Sequence, residues 1–191
     1  MVKVGLLAVQ GSFREHGQAF AKLGVDTLAV RRPTELDECD ALVLPGGEST
    51  TIIKLLRIFD LLDPIRARIA DGLPVLGTCA GMILLADRIL GGTEDQETIG
   101  GLDVTVRRNA FGRQVDSFEE DLDFKGLADP VHAVFIRAPW IEEVGSGVEI
   151  LAESAGRIVA ARQSKLMATS FHPEMGNDER VHDYFLSLIK S

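Results

Sequence analysis

Apolar runs of strand length alternate with stretches of helical period through the first ninety residues. Residues 3–9 are almost unbroken apolar, as a parallel strand buried on both faces requires. Ser12 and Glu15 then have capping-box spacing, and Phe13, Phe20, Ala21 and Leu23 give one apolar helical face that stops at Gly24. Residues 26–30 read as a second strand, 33–36 as a short helical turn and 41–44 as a third strand. A helix over 52–59 follows, then one over 65–70 capped by Asp63-Pro64 and ended by Gly72, a strand at 73–76 and a helix starting at Met82. Such alternation predicts an α/β fold: a three-layer, mostly parallel central sheet with helices on both faces, right-handed crossovers and ligands at the carboxyl ends of the strands. Gly11, Gly46-Gly47 and Cys79 all fall at such ends.

The pattern changes after Gly91-Gly92. Residues 102–106 and part of 131–136 alternate apolar and polar side chains, which predicts some antiparallel strands in the C-terminal half, covered on one face. Between them, residues 107–118 place aromatics among polar groups and read as a loop. Strands are expected at 148–152, 158–162 and 166–170. A closing helix is expected at 179–189, with Val181, Tyr184, Phe185, Leu188 and Ile189 on its apolar side. No repeat, low-complexity tract or linker divides the chain, so one domain over 1–191 is expected.

Composition narrows the chemistry. The chain of 191 residues has two cysteines forty positions apart, with no C-x-x-C and no histidine-rich companion, so neither a metal site nor a disulfide framework is suggested. A net charge of -9 and a pI near 4.9 argue against nucleic acid, since the pairs Arg31-Arg32 and Arg107-Arg108 make no basic stripe. The apolar run 4–9 is too short for a signal-peptide core and no run approaches a membrane span, so a cytoplasmic protein is expected.

The sharpest chemical signal is Val75-Leu76-Gly77-Thr78-Cys79-Ala80-Gly81-Met82. Glycines two before and two after Cys79 permit the tight strand-to-helix turn of a nucleophile elbow, with cysteine in the place of serine. The helix N-terminus there favours a thiolate and offers amide N–H groups to an oxyanion. Cys39, flanked by acidic residues, reads instead as a small buried hydrophobe. Pro45 to Thr51 lacks the Gly-Lys-Ser/Thr ending of a phosphate loop, and Glu48 would repel an anion, so its paired glycines suit close approach to a ligand or a conformational change. Of four histidines, His16 is placed on the polar side of the first helix, His132 in a strand approach and His182 on the last helix. His172, in Ser170-Phe171-His172-Pro173-Glu174, is the candidate base. Pro173 predicts an extended segment in which His172 and Glu174 share a face, the carboxylate orienting the imidazole that activates Cys79.

Gly-Thr-Cys-Ala-Gly (77–81) with His-Pro-Glu (172–174) resembles the triad-type class I glutamine amidotransferases, whose fold is flavodoxin-like. The stretches 45–51, 108–118 and 135–139 narrow the resemblance to the glutaminase subunits of pyridoxal 5'-phosphate synthases, and it extends from Gln10-Gly11 and Arg14-Glu15-His16 to the last helix. The resemblance implies hydrolysis of L-glutamine to L-glutamate and ammonia through Cys79, His172 and Glu174. Gly47, Glu48, Ser49, Arg108, Ile136 and Arg137 would bind glutamine, Arg108 meeting its carboxylate and Glu48 its ammonium. The backbone N–H groups of Gly47 and Ala80 would form the oxyanion hole. It further implies a barrel-shaped synthase as partner in a large hetero-oligomer, contacted through Gln10, Gly11, Arg14 and His16, with no cofactor on this chain. Trp140 and Met175 receive no role. The elbow alone also suits peptidase-like or deglycase-like hydrolases, a glutaminase serving another synthase, or a non-catalytic subunit on the same fold.

Overall fold

A computed structural model describes residues 1–92, 96–110 and 117–190. Its first half alternates strand and helix: β1 (Lys3–Leu7), α1 (Phe13–Lys22), β2 (Asp26–Val30), α2 (Pro33–Asp37), β3 (Ala41–Leu44), α3 (Ser49–Ile58), α4 (Leu62–Ala70), β4 (Val75–Thr78) and α5 (Ala80–Leu85). Then follow β5 (Ala86–Leu90), β6 (Leu102–Arg107), β7 (Ser117–Leu122), β8 (Val131–Ile136), β9 (Trp140–Val144), β10 (Glu149–Ser154), β11 (Arg157–Gln163), β12 (Leu166–Thr169), a 3-10 turn at Pro173–Met175 and α6 (Arg180–Lys190).

The main sheet runs β2-β1-β3-β4-β12-β11-β9-β6-β5, with β10 beside β11. Its β2-β1-β3-β4-β12 portion is parallel throughout; β11 pairs antiparallel with β12, β10 and β9, β9 antiparallel with β6, and β5 parallel with β6. The sheet is thus mostly parallel with antiparallel strands in the C-terminal half, as expected. The apolar run of β3 shows why it lies at the centre. Leu42 and Leu44 join the cluster of Ile52, Leu56 and Ile65 on one face, while Ala41 and Val43 join Phe20 and Phe185 on the other. Helices on two faces therefore close two cores over one sheet.

Three strands were not expected. β5 begins where α5 ends and exposes Asp87 and Arg88, so it carries no apolar run. β7 is acidic, and β9 follows directly on Pro139. β7 and β8 form a separate antiparallel pair, with the Phe118 and Phe135 rings stacked 4.4 Å apart. Of the 107–118 segment read as a loop, 111–116 lies outside the described residues and 117–118 belongs to β7. Asp63 and Pro64 lie inside the first turn of α4 rather than capping it. Cys39 is buried, its thiol donating to the Glu35 carbonyl at 3.2 Å and pushed up to about 11 by burial. That is a structural cysteine.

The elbow is held by close backbone packing. A Cβ on Gly81 would strike the Leu44 carbonyl oxygen, and one on Gly77 would lie 2.5 Å from the Gly81 carbonyl oxygen. Gly81→Ala is expected to force α5 off β3 and lower stability by about 1–3 kcal/mol, read as a reduced urea midpoint with an unchanged slope.

Candidate active site

Strand register sets the site. Leu44 pairs with Gly77 and Thr169 with Thr78, so β3, β4 and β12 end almost level. The loops that follow them carry Gly46-Gly47, Cys79 and His172 to one place.

Cys79 joins β4 to α5 with φ 50° and ψ -104°, outside the ordinary helical and extended regions. Such a backbone costs roughly 1–3 kcal/mol. Its N–H donates to the Thr169 carbonyl at 2.8 Å and its carbonyl accepts from Met82 and Ile83 N–H groups at 3.1 and 3.3 Å. Burial of Met82, Leu84 and Leu85, at roughly 1.5–3 kcal/mol each, more than offsets the turn. The thiol lies 3.9 Å from the Ile136 carbonyl oxygen.

His172 is fixed by its N–H to the Val134 carbonyl at 2.9 Å, its ring is hydrogen-bonded to Glu174, and it lines the same pocket as Cys79. The Nδ1 to Glu174 Oε1 distance is 2.8 Å. The geometry differs from the extended segment expected: residues 173–175 form the 3-10 turn, which folds the carboxylate back beneath the ring. Gly46 makes room, because a Cβ there would strike His172 Cε1.

Burial pulls the His172 pKa down, but the neighbouring Cys79 and the hydrogen-bonded Glu174 carboxylate outweigh it and lift the group to about 10. Burial likewise opposes ionisation of Glu174, yet His16, His172 and Ser12 together hold it down at about 2. The site therefore stores an imidazolium–carboxylate pair away from water.

The start of the first helix differs from expectation at Ser12 and at His16. Ser12 does not form the expected capping box; its hydroxyl donates to Glu174 Oε1 at 2.7 Å instead. His16 does not sit on a polar face. It has no exposed surface, with Nδ1 2.9 Å from His182 Nε2, and Nε2 3.0 Å from Thr78 Oγ1 and 3.4 Å from Glu174 Oε2. A side chain so enclosed offers no surface contact to a partner, whereas Gly11 and Arg14 are exposed and Gln10 half-buried.

Cys79 and His172 line a pocket of about 510 Å³, shared with every residue expected to bind glutamine: Gly47, Glu48, Ser49, Arg108, Ile136 and Arg137. Gln10, Gly11, Ser12, Ala80, Ile83 and Asn109 also line it. Arg108 is mostly buried between Gln96 and Glu48, its Nη2 3.3 Å from Glu48 Oε1. Glu48 caps α3, accepting from the N–H groups of Thr50 at 3.3 Å and Thr51 at 2.8 Å. Burial opposes its ionisation, but these bonds and the two threonine hydroxyls hold its carboxyl at about 2. Gln10 Oε1 accepts the Glu48 N–H at 3.0 Å and fills the space beside the Gly47 α-carbon. Ala80 is the first residue of α5, so its N–H has no intrahelical acceptor. Trp140 donates to Glu142 at 2.6 Å under the Arg157 guanidinium, and Met175 is half-exposed on the 3-10 turn. Among the described residues no group of three or more His, Cys, Asp or Glu converges as a metal site requires.

Fold and site together define an α/β protein with a cysteine at its strand-to-helix elbow and an imidazole–carboxylate pair behind it. The chain belongs to the SNO glutamine amidotransferase family, which matches residues 6–191. It is 64% identical over 191 residues to a protein of Nocardioides sp. named pyridoxal 5'-phosphate synthase subunit PdxT, covering 97% of this chain and 95% of that one. A protein of the same name from Parafrankia sp. is 60% identical over 190 residues, covering 99% and 94%. A solved structure described as a glutamine amidotransferase superposes with a TM-score of 0.93 at 50% identity, over 98% of this chain and 99% of that one.

The pair makes stability depend on pH with a definite sign. Glu174, depressed from 4.5 to about 2, contributes fully above 4.5 and loses its contribution as pH falls through 2. His172, raised from 6.5 to about 10, contributes fully below 6.5 and loses its contribution as pH rises through 10. The melting-temperature gap between wild type and Glu174→Gln is expected to be widest between these ordinary values, 4.5 and 6.5, and to narrow on both sides.

Proposed function

We propose that this chain is the glutaminase subunit of a pyridoxal 5'-phosphate synthase, a single glutamine amidotransferase domain over 1–191 that works in the cytoplasm. The observation that carries the reading is one pocket lined by Cys79, Arg108, Glu48 and a His172 whose ring is paired with the buried Glu174 carboxylate at 2.8 Å.

Glutamine would lie with its α-carboxylate on Arg108 and its α-ammonium on Glu48, and with its side-chain amide at Cys79. Ser49, Ile136 and Arg137 complete the pocket. The Cys79 thiolate attacks the amide carbon, and negative charge develops on the amide oxygen. The N–H groups of Ala80 and Gly47 are the donors assigned to it. His172, protonated and held by Glu174, gives its proton to the departing nitrogen, so ammonia leaves and a glutamyl thioester remains. The neutral imidazole then takes a proton from water, which attacks the thioester to release glutamate and restore the thiolate.

Ammonia set free in neutral water is protonated and ceases to be a nucleophile, so a second subunit must receive it directly. We assign that role to a barrel-shaped synthase in a large hetero-oligomer, docked on Gln10, Gly11 and Arg14. Among the described residues no helix is long and apolar enough to cross a membrane.

Three outcomes test this. A glutamine analogue bearing an alkylating group should label Cys79, seen as an adduct by mass spectrometry, and Cys79→Ser should abolish glutamate release. Arg108→Ala should raise KM for glutamine about 10- to 100-fold with a smaller change in kcat, the loss expected of a charge-assisted hydrogen bond. Addition of the synthase should raise the glutaminase rate if the Gly47 peptide must turn inward before its N–H can serve; equal rates with and without synthase would remove that gate.

A further inference from the structure

The mechanism above leaves two buried imidazoles unused. His16 on α1 and His182 on α6 lie directly behind the Glu174 carboxylate, His16 fully enclosed and His182 likewise without exposed surface. They come from opposite ends of the chain. Their rings are 5.2 Å apart, and the Phe20 ring packs edge-on against His182 at 5.0 Å. Two side-chain atoms in this region have no hydrogen-bond partner: Glu174 Oε2 and His182 Nδ1.

The arrangement of donors decides the tautomers. Burial pulls the pKa of both rings down, His182 to about 3, so each carries one N–H. If His16 carried its proton on Nδ1, it would donate to His182 Nε2. His182 would then keep an N–H on Nδ1 with no acceptor, and a bare His16 Nε2 lone pair would face the Glu174 anion at 3.4 Å. Both are costly in a dry interior, where orphaned N–H groups are rarer than orphaned acceptors. The opposite arrangement removes both penalties. His182 Nε2–H donates to His16 Nδ1, leaving only an acceptor unpaired at His182 Nδ1. His16 Nε2–H then points between Thr78 Oγ1 at 3.0 Å and Glu174 Oε2 at 3.4 Å.

We propose that His16 is a positioning residue for this active site: locked by His182 with its proton on Nε2, it fixes the free oxygen of Glu174, and through Glu174 the ring of His172. Ser12 and His172 hold Oε1, so His16 supplies the remaining restraint on the carboxylate. The groups facing His16 are His182 from α6, Thr78 from β4, Glu174 and His172 from the segment after β12, and Glu15 from its own helix. As a statement about turnover the proposal rests on the glutaminase reading, but its effect on Cys79 does not.

The test therefore uses two readouts on the full chain. The first is the pH midpoint of Cys79 alkylation by iodoacetamide, which needs neither glutamine nor synthase. The second is kcat and KM for glutamine in the presence of synthase. His16→Leu should move the alkylation midpoint upward by about one unit and lower kcat about tenfold with KM little changed. His16→Gln, which places an amide N–H where Nε2 was, should restore the wild-type midpoint. His182→Phe, which leaves His16 in place but unlocks its tautomer, should move the midpoint the same way, and His182→Gln should restore it. The His182 pair keeps the test open if His16→Leu does not fold. A purely structural role predicts lower melting temperatures with unmoved midpoints and kcat, and that result would overturn the proposal. Shifted midpoints in a protein that releases no glutamate with synthase would uphold the positioning role while refuting the glutaminase reading.

Discussion

The site depends on three parallel strands that end level with one another. Because Leu44 pairs with Gly77 and Thr169 with Thr78, the turns leaving β3, β4 and β12 have nowhere to go but over the same short stretch of sheet edge. The hydrogen bond from the Cys79 N–H to the Thr169 carbonyl ties the first residue of one turn to the last residue of the neighbouring strand. Groups as far apart in sequence as Gly46 and His172 are thereby brought together by backbone pairing.

The second constraint is a carboxylate without solvent. An anion placed in a dry interior costs several kcal/mol unless its oxygens are met by donors or positive charge. Glu174 Oε1 accepts from Ser12, at the start of α1, and pairs with His172, while the His16 ring of α1 lies 3.4 Å from Oε2. The N-terminal segment, remote in sequence from His172, thereby closes around the carboxylate that His172 is paired with. The small β7–β8 sheet contributes similarly: Val134 anchors the backbone of His172, and the strand delivers Ile136 and Arg137 to the pocket rim.

Much of this was legible in the chain. Strands buried on both faces write themselves as apolar runs, so β1, β3, β4 and β12 could be read directly, and the glycines around Cys79 announce an elbow. What escaped was governed by partners distant in sequence. Ser12 and Glu15 have capping-box spacing, but the hydroxyl finds a better acceptor in Glu174. His16 falls on a helix face with polar neighbours, and only the approach of α6 and β4 buries it. A convergence of histidines among polar residues on two amphipathic helices was the available hint. β5, β7 and β9 lacked the apolar patterning that marks a strand, and pairing with their neighbours defines them.

The unusual backbone of Cys79 has a consequence for how the chain can change over evolutionary time. A residue without a side chain would occupy φ 50°, ψ -104° at lower cost, and the surrounding contacts that hold the turn come from the rest of the sheet and helix. The most comfortable residue for this position is thus one that cannot attack anything. A glycine here would give a firmer fold and an inert elbow, so the sulfur of Cys79 sits where stability alone would not put it.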